Sequence, residues 1–91
     1  MKFEKLTTHA CCGSINIIYV LEKPTDHLLI DQLVSNSFTE LKHFTQSGML
    51  YLENDKCIIT SPLGQNKITI KFKTKEVDLT CLFLENILRN L

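Results

Sequence analysis

The chain carries no surplus of charge: ten Lys and Arg stand against ten Asp and Glu in 91 residues. A neutral balance gives no long-range positive field, the source of most non-specific affinity for nucleic acid, so bulk charge argues against that partner. No apolar run approaches the roughly 18 to 20 residues of a bilayer span, which predicts no transmembrane segment. The start, Met1-Lys2-Phe3-Glu4-Lys5, is charged and does not read as an export signal. The four cysteines are therefore expected as reduced thiols in a cytoplasmic protein rather than as a two-disulfide framework. Glycine is scarce, and Gly64 stands alone in its loop, which excludes a glycine-rich phosphate cradle. Asp26 and Asp31 are five apart and diverge on a helix, so they make no acid–base pair. Repeats, low-complexity tracts and linkers are also missing. These absences leave no catalytic signature and predict neither enzyme nor cofactor.

What is present is an ordinary globular composition, 44 % hydrophobic and 22 % charged, expected to form one domain over residues 1–91. A domain of this size buries only about 60 to 65 % of its unfolded surface, and such chains often lean on a partner. Residues 16–21 (Asn-Ile-Ile-Tyr-Val-Leu) are apolar on both alternating faces, as in a strand covered on both sides. Residues 3–10 are a weaker strand, with Cys12-Gly13 as the turn of a hairpin. A frayed helical turn over Lys2 to Leu6 fits those residues equally well.

Pro24-Thr25-Asp26 reads as a helix start. From it, Ile30, Leu33, Val34, Ser37, Phe38, Leu41 and Phe44 share an arc of roughly 140°. The pattern predicts one long amphipathic helix, closed near Gly48 by a left-handed cap. Ser37-Phe38-Thr39-Glu40 also matches a capping box, which would break that helix near Asn36. On the long helix Ser35 and Thr39 face outward. Three short strands follow, over residues 49–53, 57–60 and 67–73; in the last, Ile68, Ile70 and Phe72 alternate with Thr69, Lys71 and Lys73. From Glu76 onward Val77, Cys81, Leu84, Leu88 and Leu91 recur at helical spacing and form a core stripe. Leu79, Leu82 and Phe83 lie off it among polar residues, and apolar side chains in that setting mark a contact site. The expected fold class is α+β in the order ββαβββα: a five-stranded antiparallel sheet with a long helix on one face and a C-terminal helix.

That order, together with Gly48, Glu53-Asn54-Asp55, Ser61-Pro62-Leu63-Gly64, Lys67 to Phe72 and Val77-Asp78-Leu79-Thr80-Cys81-Leu82, resembles the roadblock (dynein light-chain) family and its longin-like relatives. The resemblance is mainly over residues 44–91. It departs at the start of the last helix, where Asp78-Leu79-Thr80-Cys81 lacks the family's glycine, and at the first strand, which has almost no room for a preceding helix. The resemblance implies a profilin/roadblock/longin-like fold and a non-catalytic scaffold that forms a homo- or heterodimer and serves a partner such as a small GTPase. Leu79, Leu82, Phe83, Ser35 and Thr39 are then the expected interface.

The rival reading is a small thiol or metal-binding protein centred on His9, Cys11 and Cys12. Imidazole and thiolate are both zinc ligands, and His9 and Cys11 share a face of a strand. Only Cys57, Cys81 or His43 could complete four ligands, in no compact zinc spacing, and Cys57 and Cys81 are more simply small core residues. A nearby imidazolium could also lower the pKa of Cys11 or Cys12. Lys67, Lys71, Lys73 and Lys75 share strand parity and could touch phosphate, though lysine along a strand more often protects a solvated edge.

Overall fold

In the computed structural model, residues 2–9, 15–25, 27–41, 47–62 and 64–91 are described. The strands are β1 (Phe3–His9), β2 (Ile15–Leu21), β3 (Thr39–Glu40), β4 (Met49–Glu53), β5 (Cys57–Pro62) and β6 (Lys67–Phe72). The helices are α1 (His27–Ser35), between β2 and β3, and α2 (Val77–Arg89), after β6. The strands form one sheet in the order β1-β2-β6-β5-β4-β3, with every neighbouring pair antiparallel.

Register divides the sheet into two unlike faces. Pairing Ile17 with Ile70, Ile70 with Ile59 and Ile59 with Leu52 lines up an apolar row across four strands. Tyr19 and Leu21 continue the same face, which Leu29, Leu33, Leu84 and Leu88 of the helices bury. On the opposite face Leu6, Ile18, Thr69, Thr60 and Tyr51 pair across five strands. There Leu6 is exposed and the other four half-buried. An antiparallel sheet tolerates one such wet face. β2 was expected to be covered on both sides; its Ile18 and Val20 instead belong to this uncovered face.

Two parts of the sequence expectation are corrected. Among the described residues the sheet has six strands, not five, and the expected long helix is interrupted: α1 is nine residues and β3 follows it. Local geometry gives the reason. Phe38 N–H donates to Leu33 O (3.1 Å) and Ser37 N–H to Val34 O (3.2 Å), the two bonds of a Schellman ending with Ser37 in the left-handed position at φ 76°. Leu33 and Phe38, both buried, supply the apolar contact that accompanies that motif. The capping-box alternative agrees with the position of the break near Asn36, but not with the helix start that such a box implies: Thr39 stands in an edge strand. Gly48 does adopt a left-handed φ of 86°, but in the turn entering β4.

A serine in the left-handed region carries a Cβ penalty of about 1 kcal/mol that glycine escapes. Ser37→Gly is therefore expected to raise stability by up to that amount, read as a higher urea midpoint at unchanged slope.

The hairpin of β1 with β2 is as expected; its turn, Cys12-Gly13, lies outside the described residues. α2 carries the expected stripe: Cys81, Leu84 and Leu88 are buried, with Val77 and Leu91 packed partly against the core, and Thr80 and Ile87 join them.

Candidate functional site

α2 is held on the sheet by one polar cluster. Tyr19 is fully buried, its hydroxyl donates to Glu85 Oε2 at 3.0 Å, and Lys5 Nζ stands 3.4 Å from the same oxygen. Arg89 reaches Glu85 Oε1 at 3.5 Å and covers the Phe3 ring at 5.7 Å; that ring meets Tyr19 edge-on at 5.4 Å. Burial, then the neighbouring Cys81 thiol and Glu85 carboxylate, pushes the Tyr19 phenol well above its ordinary range. A phenol so held stays neutral and acts as a hydrogen-bond donor. The cluster fixes the helix's rotation and thereby decides which side chains it leaves outside.

Those are Leu79 (63 % exposed), Leu82 (59 %) and Phe83 (44 %), the residues that lie off the core stripe. Phe83 and Leu79, one turn apart, wall a groove of about 300 Å³. Its other sides are Asn36 and Ser37 at the end of α1 and the turn from Asn54 to Lys56, with Glu76 and Thr80 also lining it. The turn is stiff. Asn54 Oδ1 accepts from the Lys56 and Cys57 amides at 2.8 and 2.9 Å, and Lys73 Nζ donates to Glu53 Oε2 at 2.8 Å and to Asn54 O at 3.0 Å. The groove thus has an apolar wall, a polar rim and a backbone fixed by hydrogen bonds.

Of the other expected interface residues, Ser35 is exposed at the end of α1 and Thr39 is exposed on β3; they share no helical face. Sequence reasoning missed Asn36, Ser37 and the Asn54–Lys56 turn because the groove exists only where α1 stops. The Ser37-Phe38-Thr39-Glu40 pattern marks the position of the break, though as a helix start, which residues 39–40 are not.

Cys11 and Cys12 lie outside the described residues, and His9 is the last residue of β1. Among the described residues no three His, Cys, Asp or Glu side chains gather as a metal site. Cys57 and Cys81 are buried free thiols, which is the core role expected of them. The lysine stripe divides: Lys67, Thr69 and Lys71 lie on the uncovered sheet face, while Lys73 is taken by Glu53. Beside Lys71 a second hollow of about 260 Å³ includes Tyr51, Thr60 and Asn16. Asn16 Oδ1 is buried there without a hydrogen-bond partner. No described helix is long and apolar enough to cross a membrane.

Compared with protein-family profiles, curated proteins and solved structures, the chain matches none of them.

Proposed function

We propose that this chain is a protein-interaction module that works by contact rather than catalysis, taking an apolar side chain of a partner protein into the groove between α1, α2 and the Asn54–Lys56 turn. The carrying observation is the exposure of Leu79 and Phe83 beside a preformed polar-rimmed hollow. An apolar centre inside a polar rim is the anatomy of a protein contact, and small domains gain stability when a partner binds the folded state alone. Self-association belongs to the same reading, as a scaffold would use it. The polar groups Tyr19, Glu85, Lys5 and Arg89 are engaged in holding α2, and Lys73, Glu53 and Asn54 in holding the turn beside the groove.

The test is amide chemical-shift mapping with an amphipathic helical peptide that offers leucine at i, i+3 and i+4 spacing. Perturbations are expected at Asn36, Lys56, Leu79 and Phe83. They should disappear in Leu79→Asp, whose circular dichroism and urea midpoint stay close to the parent because the side chain is exposed. Perturbations spread evenly over the chain, or unchanged by the substitution, would refute the groove.

A further inference from the structure

We infer that the hollow on the uncovered sheet face binds a small organic anion, an acid group carried on a flat or apolar body, with Lys71, Thr60 and Thr69 meeting the acid. The inference concerns the face that the helices leave open and stands independently of the groove.

Register assembles the site from four strands. Asn16 pairs with Lys71, and Lys71 with Ile58. Two residues along each strand, and so on the same face, Thr69 pairs with Thr60 and Thr60 with Tyr51. These six residues line the hollow of about 260 Å³. That volume is close to the lower end of organic-ligand pockets, about 300 Å³.

The charge in it has one sign. Lys71 is the only ionised side chain of the six, and none is acidic, whereas the groove carries Asp55 and Glu76 beside Lys56. Glu53, which follows Ile58 in the row of Lys71, is taken up by Lys73 at 2.8 Å. Among the described residues no carboxylate answers Lys71. An anion entering the hollow therefore meets an ammonium and no repelling acid.

Polar groups without protein partners collect at the same place. Among the described residues Asn16 Oδ1 is the buried side-chain oxygen or nitrogen left without a hydrogen bond. Buried polar atoms are otherwise so regularly paired that an exception points to a missing water, ion or ligand. The opposed Thr60 and Thr69 are half-buried, and among the described residues neither hydroxyl is hydrogen-bonded. An acid group seated over β6 takes a charge-assisted bond from Lys71 and neutral ones from the two hydroxyls. The Asn16 amide, whose terminal torsion is broad, presents either its NH2 to the acid or its oxygen to a donor beside it. Ile58 on β5 and Tyr51 on β4 lie on the side away from Asn16 and supply apolar contact for the body.

Titrations followed by amide chemical shifts test the site with benzoate, phenyl phosphate and benzamide, which share the ring and differ in the charge. Benzoate or phenyl phosphate is expected to shift Asn16, Thr60, Thr69 and Lys71 saturably, in the millimolar range of a small probe. The tighter of the two identifies the acid as carboxylate or phosphate. Benzamide, lacking the charge-assisted bond, should bind at least about tenfold more weakly. Lys71→Met keeps the apolar stem and removes the ammonium, and should weaken the anions by at least about tenfold as well. Lys67→Met, on the same face but outside the hollow, should change their affinity by less than about twofold, as expected of a screened charge. Both lysines are exposed, so the variants should keep the circular dichroism of the parent. Absence of saturable shifts with either anion, equal binding of benzamide, or equal losses in Lys71→Met and Lys67→Met would overturn the site. None of these results bears on the groove, whose peptide test reads Asn36, Lys56, Leu79 and Phe83.

Discussion

Replacing Ile70 by alanine is expected to remove about 3 to 4 kcal/mol of stability, the range of large-to-small substitutions at fully enclosed core positions. Ile70 is 0 % exposed and stands in β6, with Ile17 opposite it on one side and Ile59 on the other. The lost methylenes would leave a hole on three strands at once. Strands tied by backbone hydrogen bonds cannot close around it as a loop would. A domain of this size holds roughly 5 to 14 kcal/mol in total. The variant should therefore unfold at a much lower urea concentration and sit near the edge of folding at 37 °C. Leu79→Ala, which removes an exposed side chain of similar size, should move the midpoint little, by less than about 0.5 kcal/mol. Equal losses in the two variants would contradict the division between core and contact surface on which the groove depends.

That division was legible in the sequence where a single periodicity met a single buried face. Ile68 and Ile70 alternate with outward Thr69 and Lys71 because β6 is covered on one side only, and period two reports this directly. The stripe through Cys81, Leu84 and Leu88 reports the seat of α2 in the same way, and it leaves Leu79, Leu82 and Phe83 outside. Periodicity failed at Ser37. Leu33 and Phe38 are both core residues, and their spacing fits a continuing helix as well as it fits the apolar contact of a Schellman ending. The distinction lies in the sign of one φ angle. Glycine would have announced it, and serine does not. With the long helix gone, the groove beside α2 and the edge strand β3 appear together. The uncovered sheet face was hidden for a different reason. Ile18, Val20 and Ile58 are apolar although half-exposed, so composition reads them as buried. Only the pairing of Ile18 with Leu6 and Thr69 puts them on the wet side.

Alkaline pH should destabilise the fold well before its backbone chemistry is threatened, through a thiol and a phenol that sit in the core. Burial pushes the Cys57 thiol from an ordinary 9.0 up to about 11, with the nearby Cys81 adding to the effect and Lys73 opposing it. Tyr19 is driven upward from 10.0 in the same direction, chiefly by burial and then by Cys81 and Glu85. In both cases the folded state keeps a proton that the unfolded chain gives up more readily. The stabilisation is fully present below the unfolded values and is lost as pH rises through the folded ones, because above pH 9 the unfolded state binds fewer protons. For Cys57 the displacement from 9.0 to about 11 corresponds to about 3 kcal/mol lost across that window. Urea melts at pH 8, 9, 10 and 11 are expected to show midpoints falling from pH 9 onward, with Tyr19 steepening the decline above pH 10. Cys57→Ala cannot ionise and should be less stable at pH 8, by the cost of the cavity, yet lose less on going to pH 11. Tyr19→Phe should flatten the profile above pH 10 alone, because it keeps the ring that packs on Phe3 and removes the titrating hydroxyl. A Cys57→Ala profile parallel to the parent's between pH 9 and 11 would show that this thiol ionises no differently folded than unfolded, and would remove it from the buried seat beneath α2.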